Sequence, residues 1–318
     1  MTKTNNTFIR SVIANVVAGP TEAAARYAES RWGVSAGATQ VVKALTNPML
    51  AGSDAAGALT AGSLSREQFV HAVFSQSILG QLKGLLKVPA ICRVNAETSQ
   101  IAARFVGEYM TLPAYRGAFT THLVDKRKVG LVAIMSRELF RMAGDAAEGV
   151  ISAQLQRALS RGLDTYFVGR QGRDDTAPAG LASMAVQAST FADGIEMFAG
   201  DLTTSSVLVN PRTAISLRSP TEMKITASGG EYGGLPVVTS YGVPQDKLFI
   251  VDASRVLTYI GDVEIESAGA GHFNVDDGSG VPSQIYVDLF TTDQVAVKAQ
   301  QYADWDFVDG AAVEVTLQ

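Results

Sequence analysis

Gly33-Val34-Ser35-Ala36-Gly37 is the stretch of this chain nearest to a catalytic pattern, the G-x-S-x-G turn that raises a serine hydroxyl as a nucleophile. That turn works between a buried strand and a helix, whereas the residues before it, Thr21 to Trp32, read as an amphipathic helix. Turn glycines account for the pattern, and a hydrolase using Ser35 remains a distant alternative. The histidines His71, His122 and His272 are scattered and belong to no metal-spaced pair, and Cys92 has no partner cysteine. His71 falls beside the apolar face of a helix, which suits a packed or interface residue better than a ligand. Gly269-Ala270-Gly271 lacks the third glycine and the strand–helix setting of a dinucleotide site. Asp276-Asp277-Gly278 lacks the remaining ligands of a calcium loop and reads as an acidic surface turn. The sequence therefore assigns no catalytic, cofactor-binding or metal-binding residue and implies no cofactor. The chain is expected not to be an enzyme.

Architecture carries more information. Asp145 to Gly169 reads as a long helix, with Asp145 as its cap and Glu148 three residues on as the capping-box acid. Val150, Ile151, Leu155, Ala158, Leu159, Leu163 and Phe167 recur at steps of three or four and form one apolar stripe. Ile151, Leu155, Leu159, Leu163 and Phe167 are the expected buried core of this helix, while Arg157, Ser160, Arg161 and Asp164 fall off the stripe. At roughly 1.5 Å per residue the helix spans about 35 Å, a strut on which the other elements hang. Leu123 to Ser136, just before it, reads as a basic, exposed start passing into a buried strand.

The first 45 residues read as three helices, split at Gly19-Pro20 and at Gly33, with too little apolar material for a core of their own. Asn47 to Leu64 is a joint rich in glycine, alanine and serine, and Ser65 caps a helix carrying Phe69, Val70, Val73 and Phe74. From Leu85 the period changes to two, and a long two-stranded excursion goes out from about Leu86 and returns by about Val132. Its far half carries Arg104, Phe105, Glu108, Tyr109 and Tyr115, residue types enriched where proteins dock. Residues 180–285 read as a separate α/β lobe. It has strands at Ser205–Val209 and Leu248–Val251, a helix opened by Asn210-Pro211, and an acidic, glycine-rich, exposed stretch from Gly261 to Pro282. Two closing antiparallel strands with a turn near Asp309-Gly310 are expected to pair with the strand at 123–136.

Length and composition set limits on this picture. With 318 residues, 47% hydrophobic and 18% charged, the chain has material for one large or two modest domains. Its net charge of −5 argues against a molecule built as a whole to attract nucleic acid. Basic residues gather in the first fifty positions (Lys3, Arg10, Arg26, Arg31, Lys43) and acidic ones in the last eighty, an asymmetry compatible with head-to-tail packing of identical subunits. The sequence holds no run of about eighteen apolar residues, so no membrane is expected as a partner, and the lone cysteine suits a reducing compartment inside a cell.

The order of these elements resembles the major capsid proteins of tailed bacteriophages, the Hong Kong 97-type fold, over nearly the whole chain. The stretches that carry the resemblance are FIRSVIANVVAGPTEAAARYAESRWG, then Phe105-Val106-Gly107-Glu108 with Pro113 and Phe119 running into KRKVGLVAIMSREL. Next come Asp164 with TYFVG and Pro178-Ala179-Gly180, and finally LVNPRTAISL, GLPVVTSYGVP and LFIVDAS. The resemblance implies an α+β fold: a helical N-terminal arm and joint (1–64), a helix into the shell domain (65–84) and an extended loop (85–122). A peripheral domain with the spine helix (123–179 and 284–318) and an inserted axial domain (180–283) complete it. It implies a non-enzymatic shell subunit of the virion, assembled in the host bacterial cytoplasm into pentamers and hexamers around double-stranded DNA. Portal, scaffolding or decoration proteins are the other implied partners. Inter-subunit contacts are expected from Arg10, Arg26, Arg31, Arg93, Arg104, Phe105, Glu108, Tyr109, Tyr115 and Arg116. An encapsulin-like compartment shell is the alternative, although such shells usually lack the helical arm. The chain is expected to stay untrimmed after Met1. No lysine lies between Lys87 and Lys126, so the shell is expected to be held without covalent cross-links, arginine being a very poor nucleophile.

Overall fold

Glycine and proline punctuation sets the N-terminal helices. α1 (Thr7–Ala18) stops before Gly19-Pro20, α2 (Glu22–Trp32) ends at Gly33, and α3 (Gly37–Thr46) follows a short turn. Gly33 has φ +92, the left-handed conformation in which a glycine ends a helix, and its N–H donates to the Glu29 carbonyl. Ser35 is an exposed residue of this helix–helix turn, with no strand before it, so the nucleophile-elbow geometry is not formed. The computed structural model describes residues 7–18, 22–46, 69–97, 105–106, 119–136, 138, 144–220, 222–268, 271–274 and 286–317. Expectations at Ser65, at the joint before it and at 107–118 lie outside the described residues.

One expectation is overturned in the arm. Ala14, Ala24, Ala25, Ala28 and Val42 form a core of their own, with Ala18, Tyr27 and Trp32 packed against it. Small side chains let the three helices approach closely, so little apolar volume is needed to exclude water.

The remaining helices are α4 (69–76), α5 (Ile78–Gln81), α6 (Gly144–Val168), α7 (Leu181–Met184), α8 (Phe191–Met197) and α9 (Pro211–Ser216). In α4, Phe69, Val73 and Phe74 are buried and His71 is exposed rather than packed. The strands are β1 (Leu86–Lys87), β2 (Cys92–Glu97), β3 (Phe119–Val124), β4 (Lys128–Ser136), β5 (Val186–Ala188), β6 (Ser205–Val209) and β7 (Gly230–Tyr232), then β8 (Leu235–Thr239), β9 (Lys247–Asp252), β10 (Val256–Ala268), β11 (His272–Asn274), β12 (Tyr286–Asp288), β13 (Gln294–Phe307) and β14 (Ala312–Thr316).

The chain divides into two compact units, one made of residues 1–76, 129–160 and 262–301 and the other of 77–128, 161–261 and 302–318. The second holds a six-stranded mixed sheet in the order β5-β14-β9-β6-β8-β7. Its central strands read as continuous apolar runs because both faces are covered: β6 is buried at every residue and β9 at all but its first. Val207, Val209, Leu248, Ile250, Val313 and Val315 form the heart of this core. Asn210 caps α9 by accepting the Arg212 N–H, as the Asn-Pro pair suggested.

The C-terminal strands depart from expectation. Gly310 does sit in a turn, with φ +75, but β13 and β14 do not form a hairpin across it. β14 enters the six-stranded sheet between β5 and β9, while β13 joins a four-stranded sheet in the order β1-β10-β13-β4. β4 is therefore a neighbour of β13 alone, and its residues alternate between exposed and half-buried where a buried strand was expected. The acidic, glycine-rich stretch after Gly261 begins as the second half of the 13-residue strand β10, on which Asp262, Glu264 and Glu266 are exposed as expected.

The long helix begins at Gly144, so Asp145 lies inside its first turn rather than at its cap. Leu155, Leu159, Leu163 and Phe167 are all buried; the Ile151 side chain is outside the description. The buried face is wider than one stripe. Ser152, Gln156, Ser160 and Asp164 form a second buried row at steps of four beside the leucines, while Val150 and Ala158, expected in the stripe, are exposed. In its last turns Phe167 packs edge-on against Trp305 and Phe307, with ring centroids 5.5 and 5.4 Å away. Trp305 Nε1 donates to the Ala179 carbonyl at 2.9 Å, fixing the Pro178-Ala179-Gly180 turn. Only glycine fits at Gly180, because a Cβ there would stand 2.0 Å from the Gly169 carbonyl oxygen.

Candidate functional site

β2 and β3 pair antiparallel, Cys92 with Val124 through to Glu97 with Phe119, and form the base of the long excursion. Strand alternation gives this hairpin two unlike faces. Cys92, Val94 and Ala96 are half-buried, and His122 and Val124 are buried. On the other face Arg93, Asn95, Phe119, Thr121 and Leu123 are exposed, with Thr121 Oγ1 donating to Asn95 Oδ1 at 2.9 Å. Phe119 is 66% exposed and Leu123 41%, so two large apolar side chains stand on the same open face. Among the described residues Phe105 is also fully exposed.

Side chains fasten the root of the hairpin. Asp304, on β13, is completely buried, and its Oδ2 accepts from the Asp125 N–H (2.6 Å), Arg127 Nη1 (2.6 Å) and Arg173 Nη2 (2.7 Å). Its Oδ1 accepts the Trp305 N–H at 2.9 Å. Arg173 Nη1 donates to the Trp305 carbonyl, and Arg127 gives Nε and Nη2 to the Asp174 carbonyl. The Asp174 carboxylate accepts the Ala177 and Thr176 N–H groups and the Thr176 hydroxyl. The backbone bond from Ala177 leads in holding its pKa below the ordinary aspartate value. Two residues outward, His122 Nδ1 meets Asp306 Oδ2 at 3.1 Å. Glu314 is a second buried acid, held by Arg170 Nη2 at 2.8 and 2.7 Å from its two oxygens and by Lys247 Nζ. Two cations against each buried carboxylate offset the cost of taking the charge out of water.

This root cluster was not foreseen from sequence. The signals present were the Asp304-x-Asp306 alternation on a strand and the Lys126-Arg127-Lys128 run, neither of which names its partner. Of the residues expected at contacts, Arg10 is half-buried with its guanidinium 5.7 Å from the Trp32 ring, Arg26 pairs with Glu22 at 3.5 Å, and Arg31 and Arg93 are exposed. Arg104, Glu108, Tyr109, Tyr115 and Arg116 lie outside the described residues. Hairpin and arm are thus each partly described.

In known proteins the chain is similar to a "Capsid polyprotein" of Pseudomonas phage PAJU2, 26% identical over 276 residues, which covers 74% of this chain. The chain spans 41% of that relative's length. No protein-family profile matches it. Among solved structures it is similar to one from Gordonia phage Cozz (15% identity, TM-score 0.56, covering 76% of this chain and 87% of that one). It is also similar to the capsid of a native GTA particle (13% identity, TM-score 0.51, covering 77% and 90%). The chain folds as a phage capsid subunit.

The outer face of α6 allows a direct check. Arg157 and Arg161 are exposed, Arg157 Nε donating to Ala153 of its own helix and Arg161 lying 5.7 Å from the Tyr241 ring. An exposed cation–π contact contributes about 0.5–1 kcal/mol. Arg161→Glu should therefore cost no more than about 1 kcal/mol in a urea melt and leave the subunit folded. A loss several times larger would mean that the helix faces are assigned wrongly.

Proposed function

We propose that this chain is the major capsid protein of a tailed bacteriophage, identical copies of which close into an icosahedral shell around double-stranded DNA. The observation that carries the reading is the hairpin of β2 and β3, fastened by one face and bearing Phe119 and Leu123 on the other, in a chain with the capsid fold. A single hairpin cannot bury such a face on itself, and a neighbouring copy can cover it. Each such contact need only be modest, because closure of a shell multiplies contacts per subunit. In this reading 85–122 is the extended loop and 1–64 the arm and joint. Residues 123–179 with 284–318 form the peripheral domain and 180–283 the axial domain, with 312–316 lending its strand to the axial sheet. DNA is met through sparse, sequence-independent charge contacts. Portal, scaffolding or decoration proteins complete the particle, which assembles in the bacterial cytoplasm. Subunits associate without covalent links, since the loop between Lys87 and Lys126 offers no lysine.

Negative-stain microscopy of the purified full-length chain should show closed shells. Boiled in detergent, the same shells should run as a single monomer band. Small soluble oligomers under every assembly condition would overturn the shell reading, and a ladder of multimers on the gel would overturn the non-covalent one.

A further inference from the structure

The hairpin of β2 and β3 forms no backbone ladder with β13, yet side chains fasten the return strand to β13 at an inner and an outer point. Beside the inner one the Ala303 N–H donates to the Arg127 carbonyl and Lys126 Nζ lies 4.0 Å from the Tyr302 ring. The inner point is Asp304, fully buried, holding the Asp125 N–H and two guanidinium groups. The outer point, two residues further along both strands, is one hydrogen bond between His122 and Asp306. Their side chains are 7% and 15% exposed. An ionised carboxylate only accepts, so His122 Nδ1 carries the proton in that bond. Its other ring nitrogen, Nε2, is buried with no hydrogen-bond partner. Asp306 spends its second oxygen, Oδ1, on the Phe307 N–H at 3.0 Å, and Arg173 Nη1 stands 3.9 Å from that oxygen.

The two points differ in strength by their construction. Asp304 has four donors, two of them cationic, and breaking it strands buried charge. The His122–Asp306 bond is single and leaves an orphaned nitrogen beside it. Parting it costs less than breaking the Asp304 cluster, because no guanidinium loses its closest carboxylate and Asp306 keeps the Phe307 N–H. We propose that His122 and Asp306 are positioning residues: a releasable catch that sets the direction in which the hairpin leaves the subunit, with the Asp304 cluster as the fixed pivot. With the catch closed the hairpin has one direction. With it open the hairpin swings about Asp125–Arg127 while the six-stranded sheet stays intact. The proposal rests on the shell reading only for what the hairpin is aimed at, a second copy of this chain.

The test is the spread of a distance. Spin labels go on Phe119→Cys, at the outer end of the described hairpin, and on Ile215→Cys, an exposed residue of α9, in a Cys92→Ser background. Labelled full-length chain is diluted with unlabelled chain so that only distances within one subunit are read. With His122 and Asp306 in place the distribution should be narrow. Asp306→Ala should at least double its width, His122→Ala should do the same, and the double variant should widen it no further than either alone. Asp306→Asn can keep its one oxygen on the Phe307 N–H and turn its amide N–H toward His122 Nδ1, which accepts in the other tautomer, so it should restore the narrow distribution. An unchanged width in both alanine variants, or a broad one in the parent chain, would overturn the catch. So would an Asp306→Asn distribution as broad as that of Asp306→Ala, or a urea midpoint for either alanine variant showing that the whole subunit has loosened. The measurement is made within single subunits, so failure to form shells would sink the proposed function and leave the catch standing.

Discussion

Asp304→Ala should cost about 3–5 kcal/mol of stability, a large fraction of the roughly 5–15 kcal/mol that keeps a typical domain folded. The carboxylate is fully buried and satisfies four donors at once. Its removal leaves the Arg127 guanidinium, 9% exposed, with only the more distant Asp174 carboxylate as counter-charge, strips Arg173 of its closest one and leaves the Asp125 N–H without an acceptor. Each orphaned buried group costs about 1–3 kcal/mol, and more when charged. Arg127 retains the Asp174 carbonyl and Arg173 the Trp305 carbonyl, which is why the expected loss stops short of the full desolvation of two cations. Asp304→Asn keeps one acceptor oxygen but no charge and should fall between the alanine variant and the parent. Urea midpoints at low and high salt check this. Because the pairs are buried, 1 M salt should leave most of the difference in place, whereas a solvated cluster would be screened. A loss under about 1 kcal/mol would mean that Asp304 is not the centre of the root.

The same residues mark where sequence reasoning runs out. Local signals were legible. The helix breaks at Gly19-Pro20 and Gly33, the strands at Ser205–Val209 and Leu248–Val251 and the Asn210 cap all depend on neighbours within a few residues. β10 was legible too and was not read as a strand. Val263 and Ile265 alternate with Asp262, Glu264 and Glu266, the period of a strand, but the acidic residues and Gly261 pointed only to an exposed stretch. The acids lie on the exposed face, where Glu264 meets Gln300 and Glu266 meets Lys298 on β13. The destination of β14 was not legible in the same way. An alternating strand after a glycine turn fits a hairpin as well as an inserted strand, and the choice is made by β5 and β9, more than sixty residues away. The hairpin root is the extreme case. His122 and Asp306 are 184 positions apart, and nothing in either neighbourhood distinguishes a catch from surface charge. Comparable nonlocality hid the second buried row of the long helix, because Ser152, Gln156, Ser160 and Asp164 look like a solvated face until their partners are in place.

Asp164 shows what that row costs. Its Oδ1 accepts the Ile78 N–H at 2.7 Å and its Oδ2 the Ser240 hydroxyl at 2.5 Å, tying the helix to the start of α5 and to the turn after β8. Gly242 leaves room for it; a Cβ there would lie 2.8 Å from the Asp164 Cβ. Burial pushes its pKa up to about 6 from 3.8, against the opposing pull of the Ser240 and Ile78 hydrogen bonds. The folded chain therefore holds this proton more tightly than the unfolded one. The resulting stability is present in full below about pH 3.8 and is lost as pH rises through about 6, a total of about 3 kcal/mol. Asp164→Asn cannot titrate, so the stability of the parent minus that of the variant should fall by about that amount over this window and stay level above it. Subtracting the two curves cancels the other carboxylates, whose protonation acts on both proteins alike. A flat difference would mean that the two donors replace water fully. One that rises with pH would mean that they outweigh it, in which case the ionised form is the one the helix was built around and the raised pKa is wrong in sign.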